Sequence, residues 1–535
     1  MGARIIGAAM QRRAFLSGAT SAAALWAWTR LFAQPVRADG ALRHWHAPAD
    51  LFTLGVASGE PRPGSVVIWT RLAPQPLQPG GGMPPQSVAV RWEVADDPRF
   101  ARIVRQGEAV ADPSRAHSVH VEVDGLQPGR HYHYRFMAAG QSSPIGRTRT
   151  APAFDADVDR LRFALASCQH YEMGYYTAHR EIAHQDIDFV LFVGDYIYET
   201  PTLAMLQVRR HQPAFGQGFT LTDYRTHHAL YKLDADLRAC HATHPWLLMW
   251  DDHEVRNDYD GLIDPEGDFP LERFMQVRAA AFQAYFEHMP ISPTRAPVGP
   301  RAHLHHQLAW GQLADLWLLD TRQFRDGNVC GGASTLWRRR ALWRCSEIEA
   351  AERSMLGGEQ EAWIAARLAA STGHWRFIAQ TTQVAPGLFG TPFGSLTYAD
   401  GWDAFPQARE RLMAAIAQPR VPDVVVLGGD VHRHVAANLR QHPRQGDSRI
   451  IASEFVTSSI SSKGLSELMI AWMKRSNPDL LHLRGDERGY CLFDVTPRQL
   501  QCEFRGTLHP VRADSRFRTQ ATYVVERGVA GPQKA

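Results

Sequence analysis

Short apolar runs recur along this chain, and each stops on a group able to bind a metal or move a proton. Phe163 to Ser167 ends at Cys168, Phe189 to Gly194 at Asp195, and Trp246 to Trp250 at Asp251-Asp252-His253. Leu316 to Leu319 ends at Asp320, Phe377 to Thr382 at Gln383, and Val424 to Gly429 at Asp430, with His432 two residues on. In an open α/β sheet the ligand crevice lies beyond the carboxyl ends of the strands, where loops carry polar groups on a rigid scaffold. Six such endings between residues 168 and 430 predict one assembled centre.

Upstream the rhythm changes. Ser87 to Val94 alternates with period two, as a half-buried strand must. Val56–Gly59, Ser65–Trp69, His120–Val123 and Tyr132–Phe136 are further strand-like runs split by Pro and Gly. The turn Leu126-Gln127-Pro128-Gly129 followed by Tyr132-His133-Tyr134 resembles the tyrosine corner of immunoglobulin-like and fibronectin III-like sandwiches. After the linker Ala151–Asp155, strands alternate with helices, and helical spacing is read at Tyr175–Ile182, Arg273–Met289 and Gly358–Ala370. The expected organisation is α+β: an Ig/fibronectin III-like β-sandwich over 46–150, a catalytic domain over 155–510, and a tail over 511–535 with no strong pattern.

Composition narrows the class without naming a function. The 535 residues exceed one ordinary domain, and 44% hydrophobic with 21% charged content belongs to a globular chain with a large core. Lys and Arg number 58 against 55 Asp and Glu, so the net charge of +3 favours neither nucleic acid nor an anionic surface. The first forty residues stand apart. Gln11-Arg12-Arg13-Ala14-Phe15-Leu16-Ser17 precedes a small and apolar stretch, Gly18–Ala33, and Val36-Arg37-Ala38 offers a cleavage site. This predicts a twin-arginine signal peptide over 1–38, export by the twin-arginine machinery, and a periplasmic or secreted location. The interruption at Arg30 argues against a membrane anchor.

An exported chain can form disulfides. Of the six cysteines, Cys330 and Cys345 bracket a short loop and are the expected bridge. Cys491 and Cys502 flank a turn between two strand-like runs and stay open between bridge and thiols. Cys240 reads as a buried core thiol, whereas Cys168 stands where a ligand belongs.

The chemistry concentrates in three motifs. In Gly194-Asp195-Tyr196-Ile197-Tyr198, a three-residue step turns Asp195 and Tyr198 towards one point past a strand end; Asp195 alone reads equally as a helix cap. In Trp250-Asp251-Asp252-His253-Glu254, buried acids need partners or a metal, so Asp252 is the expected ligand and His253 the group that meets substrate. Asp251 is expected to hold the loop, with Asn257 a further ligand or loop lock. In Gly428-Gly429-Asp430-Val431-His432, Asp430 and His432 are spaced to reach neighbouring metals; His434 reads as a surface histidine. Asp320 and Arg322 read as a strand-end cap and an ion pair.

Together, Cys168, Asp195, Tyr198, Asp252, His253, Asp430 and His432 resemble the site of the alkaline phosphatase D (PhoD-like) family of metallophosphoesterases. The likeness extends to Leu54–Gly59, Trp69-Thr70-Arg71, Asp223-Tyr224-Arg225, Met355-Leu356-Gly357 and Glu359-Gln360. It implies a four-layer αββα catalytic domain and an exported phosphate-ester hydrolase, an alkaline phosphatase of mono- and diesterase range using a metal-activated hydroxide. It also implies Fe3+ and Ca2+. A thiolate and a phenolate suit iron at Cys168, Asp195, Tyr198 and His432, while oxygen ligands suit calcium at Asp195, Asp252 and Asp430. Expected partners are phosphate-ester small molecules, with phospholipid or teichoic-type polymers as further substrates. A phospholipase D-like phosphodiesterase is the alternative within the family, and a non-catalytic sugar- or matrix-binding protein the alternative outside it.

Overall fold

The computed structural model describes residues 42, 50–209, 211–213, 215–216, 218–330 and 341–535; the signal-peptide expectation lies outside them. The apolar runs become parallel strands. Leu161–Ala166, Phe189–Val193 and Pro245–Met249 lie side by side in one sheet. Ala314–Leu318, Trp375–Ala379, Val424–Gly428 and Ile450–Val456 do so in another. Nearly every residue in these strands is buried because both faces of each sheet are covered, which is why they read as unbroken apolar runs rather than alternating ones.

Alternation reappears once the faces are separated. Phe163, Leu165, Leu191 and Met249 meet Phe377, Val425 and Phe455 from the other sheet in a core between the two. Ala164, Val190, Phe192 and Trp246, one residue out of step, pack instead with helices Thr177–Ala183, Leu221–Lys232, Ala235–Thr243 and Leu271–His288. On the far side of the second sheet, Ile378, Val424 and Val426 pack with Gly358–Ala370, Pro406–Ile416 and Glu467–Ser476. Truncating a core ring such as Phe377 to alanine would cost about 3–5 kcal/mol. Among the described residues no helix is long and apolar enough to cross a membrane.

The N-terminal strands divide between two sheets. Val88–Ala95, Ile103–Ala111 and His131–Ala138 form a small antiparallel sheet with the short strands Gln141–Ser142 and Gly146–Arg149. In the turn, Gln127 N–H donates to Tyr132 Oη at 2.9 Å. Val56–Gly59, Ser65–Arg71 and Ser118–Asp124 instead extend the first catalytic sheet, because Val56–Gly59 pairs in parallel with Pro245–Met249. That sheet reaches ten strands. Its opposite edge is Arg518–Glu526 with Gln533–Lys534, so the stretch after Pro510, where the pattern predicts nothing, contributes two strands.

The helices expected at 273–289 and 358–370 appear as Leu271–His288 and Gly358–Ala370. The one expected at 175–182 appears as Thr177–Ala183. Cys330 and Cys345 are bridged, with Cα atoms 5.9 Å apart. Cys491 and Cys502 are free thiols, two residues apart in register on adjacent strands and facing the same core.

Candidate metal centre

The strand ends of the two sheets meet, and glycines let them meet closely. A Cβ on Gly194 would lie 2.5 Å from Asp251 Cβ, and one on Gly429 would lie 2.6 Å from Ser167 Oγ. No side chain fits at either position, so Gly429 of the second sheet can press against the end of the first. Four of the seven expected site residues then adopt left-handed backbone: Cys168 (φ 59°), Asp195 (φ 58°), Asp430 (φ 61°) and His432 (φ 51°). Each such non-glycine conformation is held against a penalty of about 1–3 kcal/mol, a strain that concentrates at functional sites.

The result is a tight set of donors. Ligand atoms of Cys168, Asp195 and His432 lie within 4.8 Å of one another, and so do those of Asp195, Asp252 and His253. Asp195 belongs to both groups. Tyr198 Oη donates to Asp195 Oδ2 at 2.9 Å and lies 3.2 Å from His432 Nε2. His432 Nδ1 donates to the Lys463 carbonyl at 2.8 Å, which leaves Nε2 with the lone pair when the ring is neutral. His253 Nδ1 donates to Glu199 Oε2 at 2.7 Å, and Glu199 Oε1 also accepts the Asn257 amide. Asp430 stands outside these groups; its Oδ2 accepts from Thr382 Oγ1 at 2.6 Å, and it lines the same cavity.

The electrostatics of this set are unbalanced. Burial, with Asp195, Asp430 and Asp251 nearby, pushes the Cys168 thiol well up. Burial and the neighbouring Asp252, Asp251 and Glu254 push Asp195 well up, against the pull of His253. Burial and Asp251 do the same to Asp430. Burial holds His432 down at about 3, keeping it neutral. Asp195 Oδ1 is buried with no hydrogen-bond partner. A buried carboxylate oxygen in that state, beside a thiol, a phenol and an imidazole, is what a cation would satisfy. The residues fit a metal.

Other sequence expectations sort as follows. Asp251 holds the loop: Arg322 Nε donates to it, as does Thr381 Oγ1 at 3.0 Å. Asp320 caps its strand end by accepting the Arg322 and Gln323 amides. His434 is not at the surface. It is fully buried against Phe504 and accepts the Ser458 amide, because strands Glu487–Val495 and Gln499–Leu508 fold over it.

Sequence reasoning missed four acids. Glu199 directs His253, and Glu254 receives the backbone amides of Asp195, Tyr196 and Asp251. Burial pushes Glu254 up to about 8 even so. Asp258 and Asp400 join Asp252 in a third group of ligand atoms. Position next to Tyr198 and His253 was a usable signal for Glu199 and Glu254; Asp400 had none beyond its glycine-flanked loop.

The donors open into a cavity of about 550 Å³. Its lining combines polar side chains, among them His253, Asn257, Gln383, Arg433 and Lys463, with apolar ones, Phe389, Leu396, Met469, Trp472 and Met473.

The chain is similar to known proteins over most of its length. The family described as PhoD-like phosphatase matches residues 163–504, and the description of its N-terminal domain matches residues 37–152. Alkaline phosphatase D of Bacillus subtilis (strain 168) is 43% identical over 490 residues, covering 90% of this chain and 82% of the relative. A solved structure of PhoD superposes with a TM-score of 0.86 at 41% identity, over 92% of this chain and 93% of that one. Purple acid phosphatase PPD1 from yellow lupin (Lupinus luteus) seeds shares the fold, with a TM-score of 0.55 at 12% identity over 88% and 74% of the two chains.

Proposed function

The chain belongs to the PhoD-like phosphatase family, and from that premise we propose how its own residues carry the hydrolysis of phosphate esters. It is a phosphoric ester hydrolase. The observation that carries the site assignment is Asp195, whose carboxylate joins two donor groups and keeps one buried oxygen without a partner. Cys168, Asp195, Tyr198 and His432 would hold Fe3+, the ion that a thiolate and a phenolate favour. Asp195, Asp252 and Asp430 would hold Ca2+ through oxygen. When bound, the ions supply charge neutralisation at the phosphoryl oxygens and acidify the attacking water.

The protein's own groups do the rest. Glu199 fixes the His253 ring by accepting the Nδ1–H hydrogen bond, which leaves Nε2 as the ring nitrogen for the side of Asp195 and Asp252. A proton on Nε2 is then placed to pass to the departing alkoxide. Gly194, Gly429 and the left-handed turns hold the donors in place before substrate arrives. Glu254 ties the Asp195 and Asp251 loops together through three amides.

The same proposal covers location and build. Residues 1–38 are assigned as a twin-arginine signal and the protein as periplasmic or secreted. The Gln127–Tyr132 bond supports an Ig/fibronectin III-like sandwich over 46–150, and the two sheets with helices outside each support a four-layer αββα domain over 155–510, with 511–535 following.

A second reading has its own observation. The apolar lining of Phe389, Leu396, Met469, Trp472 and Met473 suits an ester with a bulky apolar group, which favours a phospholipase D-like phosphodiesterase acting on phospholipid over one acting on teichoic-type polymers. Hydrolysis of p-nitrophenyl phosphate and bis-p-nitrophenyl phosphate by the calcium-supplied exported protein separates the two. A dominant monoester rate supports the phosphatase, a dominant diester rate the diesterase, and loss of both refutes the site.

A further inference from the structure

Arg433 is a buried cation at the catalytic cavity that forms no ion pair among the described residues. It is 6% exposed, follows His432 directly, and is the one arginine among the described residues lining that cavity. An arginine carries five N–H donors. Arg433 places one Nη2 proton on Gln383 Oε1 at 3.0 Å and one Nη1 proton on the Val431 carbonyl at 3.2 Å, and its Nε is buried without a partner. No carboxylate lies within ion-pair distance of it among the described residues.

Its neighbours are treated differently. Arg322 is met by Asp251 and Asp400, Arg325 by Asp260 and Asp400, and Arg409 by Asp403. Arg278 and Arg488 also lack a carboxylate, but they do not line the cavity and donate to backbone carbonyls. Gln383, a polar strand ending that the metal centre leaves unused, is itself held by Nε2 donating to the Ala385 carbonyl at 2.8 Å. Its Oε1 therefore aims the guanidinium and does not neutralise it. An uncompensated buried charge is strongly unfavourable unless a ligand supplies the opposite charge, and a guanidinium fork matches two oxygens of a phosphate.

We propose that Arg433, aimed by the positioning residue Gln383, binds anionic non-bridging oxygens of the substrate phosphate and of the free phosphate product. This rests on the phosphoric ester hydrolase reading. The contact acts as a geometric clamp on the phosphoryl group that loses half its grip when the fork becomes a point charge.

The test uses metal-loaded full-length protein and inorganic phosphate as the probe. Phosphate binding is measured by calorimetry, with the inhibition constant against p-nitrophenyl phosphate beside it. Arg433→Met should weaken phosphate about 30–100-fold and Arg433→Lys about 5–10-fold, in line with the loss of charge-assisted bonds. Guanidinium added to Arg433→Ala should restore phosphate binding and turnover in part, which a packing role would not allow. Gln383→Leu should raise KM more than it lowers kcat. Phosphate affinity unchanged within twofold in folded Arg433→Met, or no rescue by guanidinium, overturns the proposal. Arg433-dependent phosphate binding in a wild-type protein that hydrolyses no ester would instead sink the hydrolase reading and leave the clamp standing.

Discussion

The metal-side donors and a second buried cluster beneath the N-terminal strands both crowd like groups out of water, and they settle the conflict in opposite ways. The second cluster is basic. Lys232 lies over the rings of Trp69 and Tyr196 at 4.5 and 5.6 Å, near His228, His241, His288 and Arg71. Burial brings Lys232 down to about 7 and holds the three histidines well below their usual range. Those bases are accommodated by giving up protons: His241 takes a hydrogen bond from Tyr196, and His228 stacks on His288. At the metal side, Cys168, Asp195 and Asp430 are driven towards their protonated forms in the same way, but they open on a cavity and a cation can enter. Burial of like charges is therefore no sign of function by itself. A cavity beside the cluster and an orphaned oxygen aimed into it make the distinction.

Asp195→Asn attacks the contrast at its strongest point. It should leave the basic cluster and the fold intact while abolishing both metal uptake and turnover; retained metal, measured by elemental analysis of the purified variant, would refute the shared-ligand role. His253→Gln comes next, with turnover falling about 10²–10⁴-fold while metal content holds. Glu199→Gln should act through His253 and lower turnover by about 10–100-fold, and a loss as large as that of His253→Gln would mean Glu199 meets substrate itself.

The smallest effect belongs to the basic cluster. Below pH 7 Lys232 is protonated folded and unfolded alike, so the full penalty of burying the ammonium is present. Between pH 7 and about 10.5 the unfolded chain holds the proton that the folded one has lost, and the penalty fades as pH rises. Lys232→Met should therefore stabilise the protein by roughly 2–4 kcal/mol at pH 7 and by little near pH 10.5, with turnover unchanged. Denaturant melts of both proteins at the two pH values would expose a flat difference, which would mean Lys232 is paired or hydrated.

Much of the site could be read in the chain because its ligands sit where a local pattern puts them, one residue past a run buried on both faces. Cys168, Asp195 and Asp430 obey that rule, and Asp252 lies one residue further on. Helix Leu221–Lys232 escaped it because the residues it buries include His227, His228, Tyr231 and Lys232, polar types that erase the apolar stripe. His434 was misplaced for a similar reason: two residues beyond a ligand it looks like surface, and only strands some fifty to seventy residues later cover it. Asp400 reaches Arg322 across 78 residues of chain, a pairing that no local spacing encodes.

The sequence alone determined the kinds of donors and their order along the strands, since these follow from side-chain chemistry and from the two-faced burial of parallel strands. Tertiary structure alone decided which carboxylates face each other, which histidine is aimed by Glu199, and which buried cation lacks an anion. Those are properties of distance and desolvation between segments far apart in the chain, and they come into being only when the two sheets close on one another.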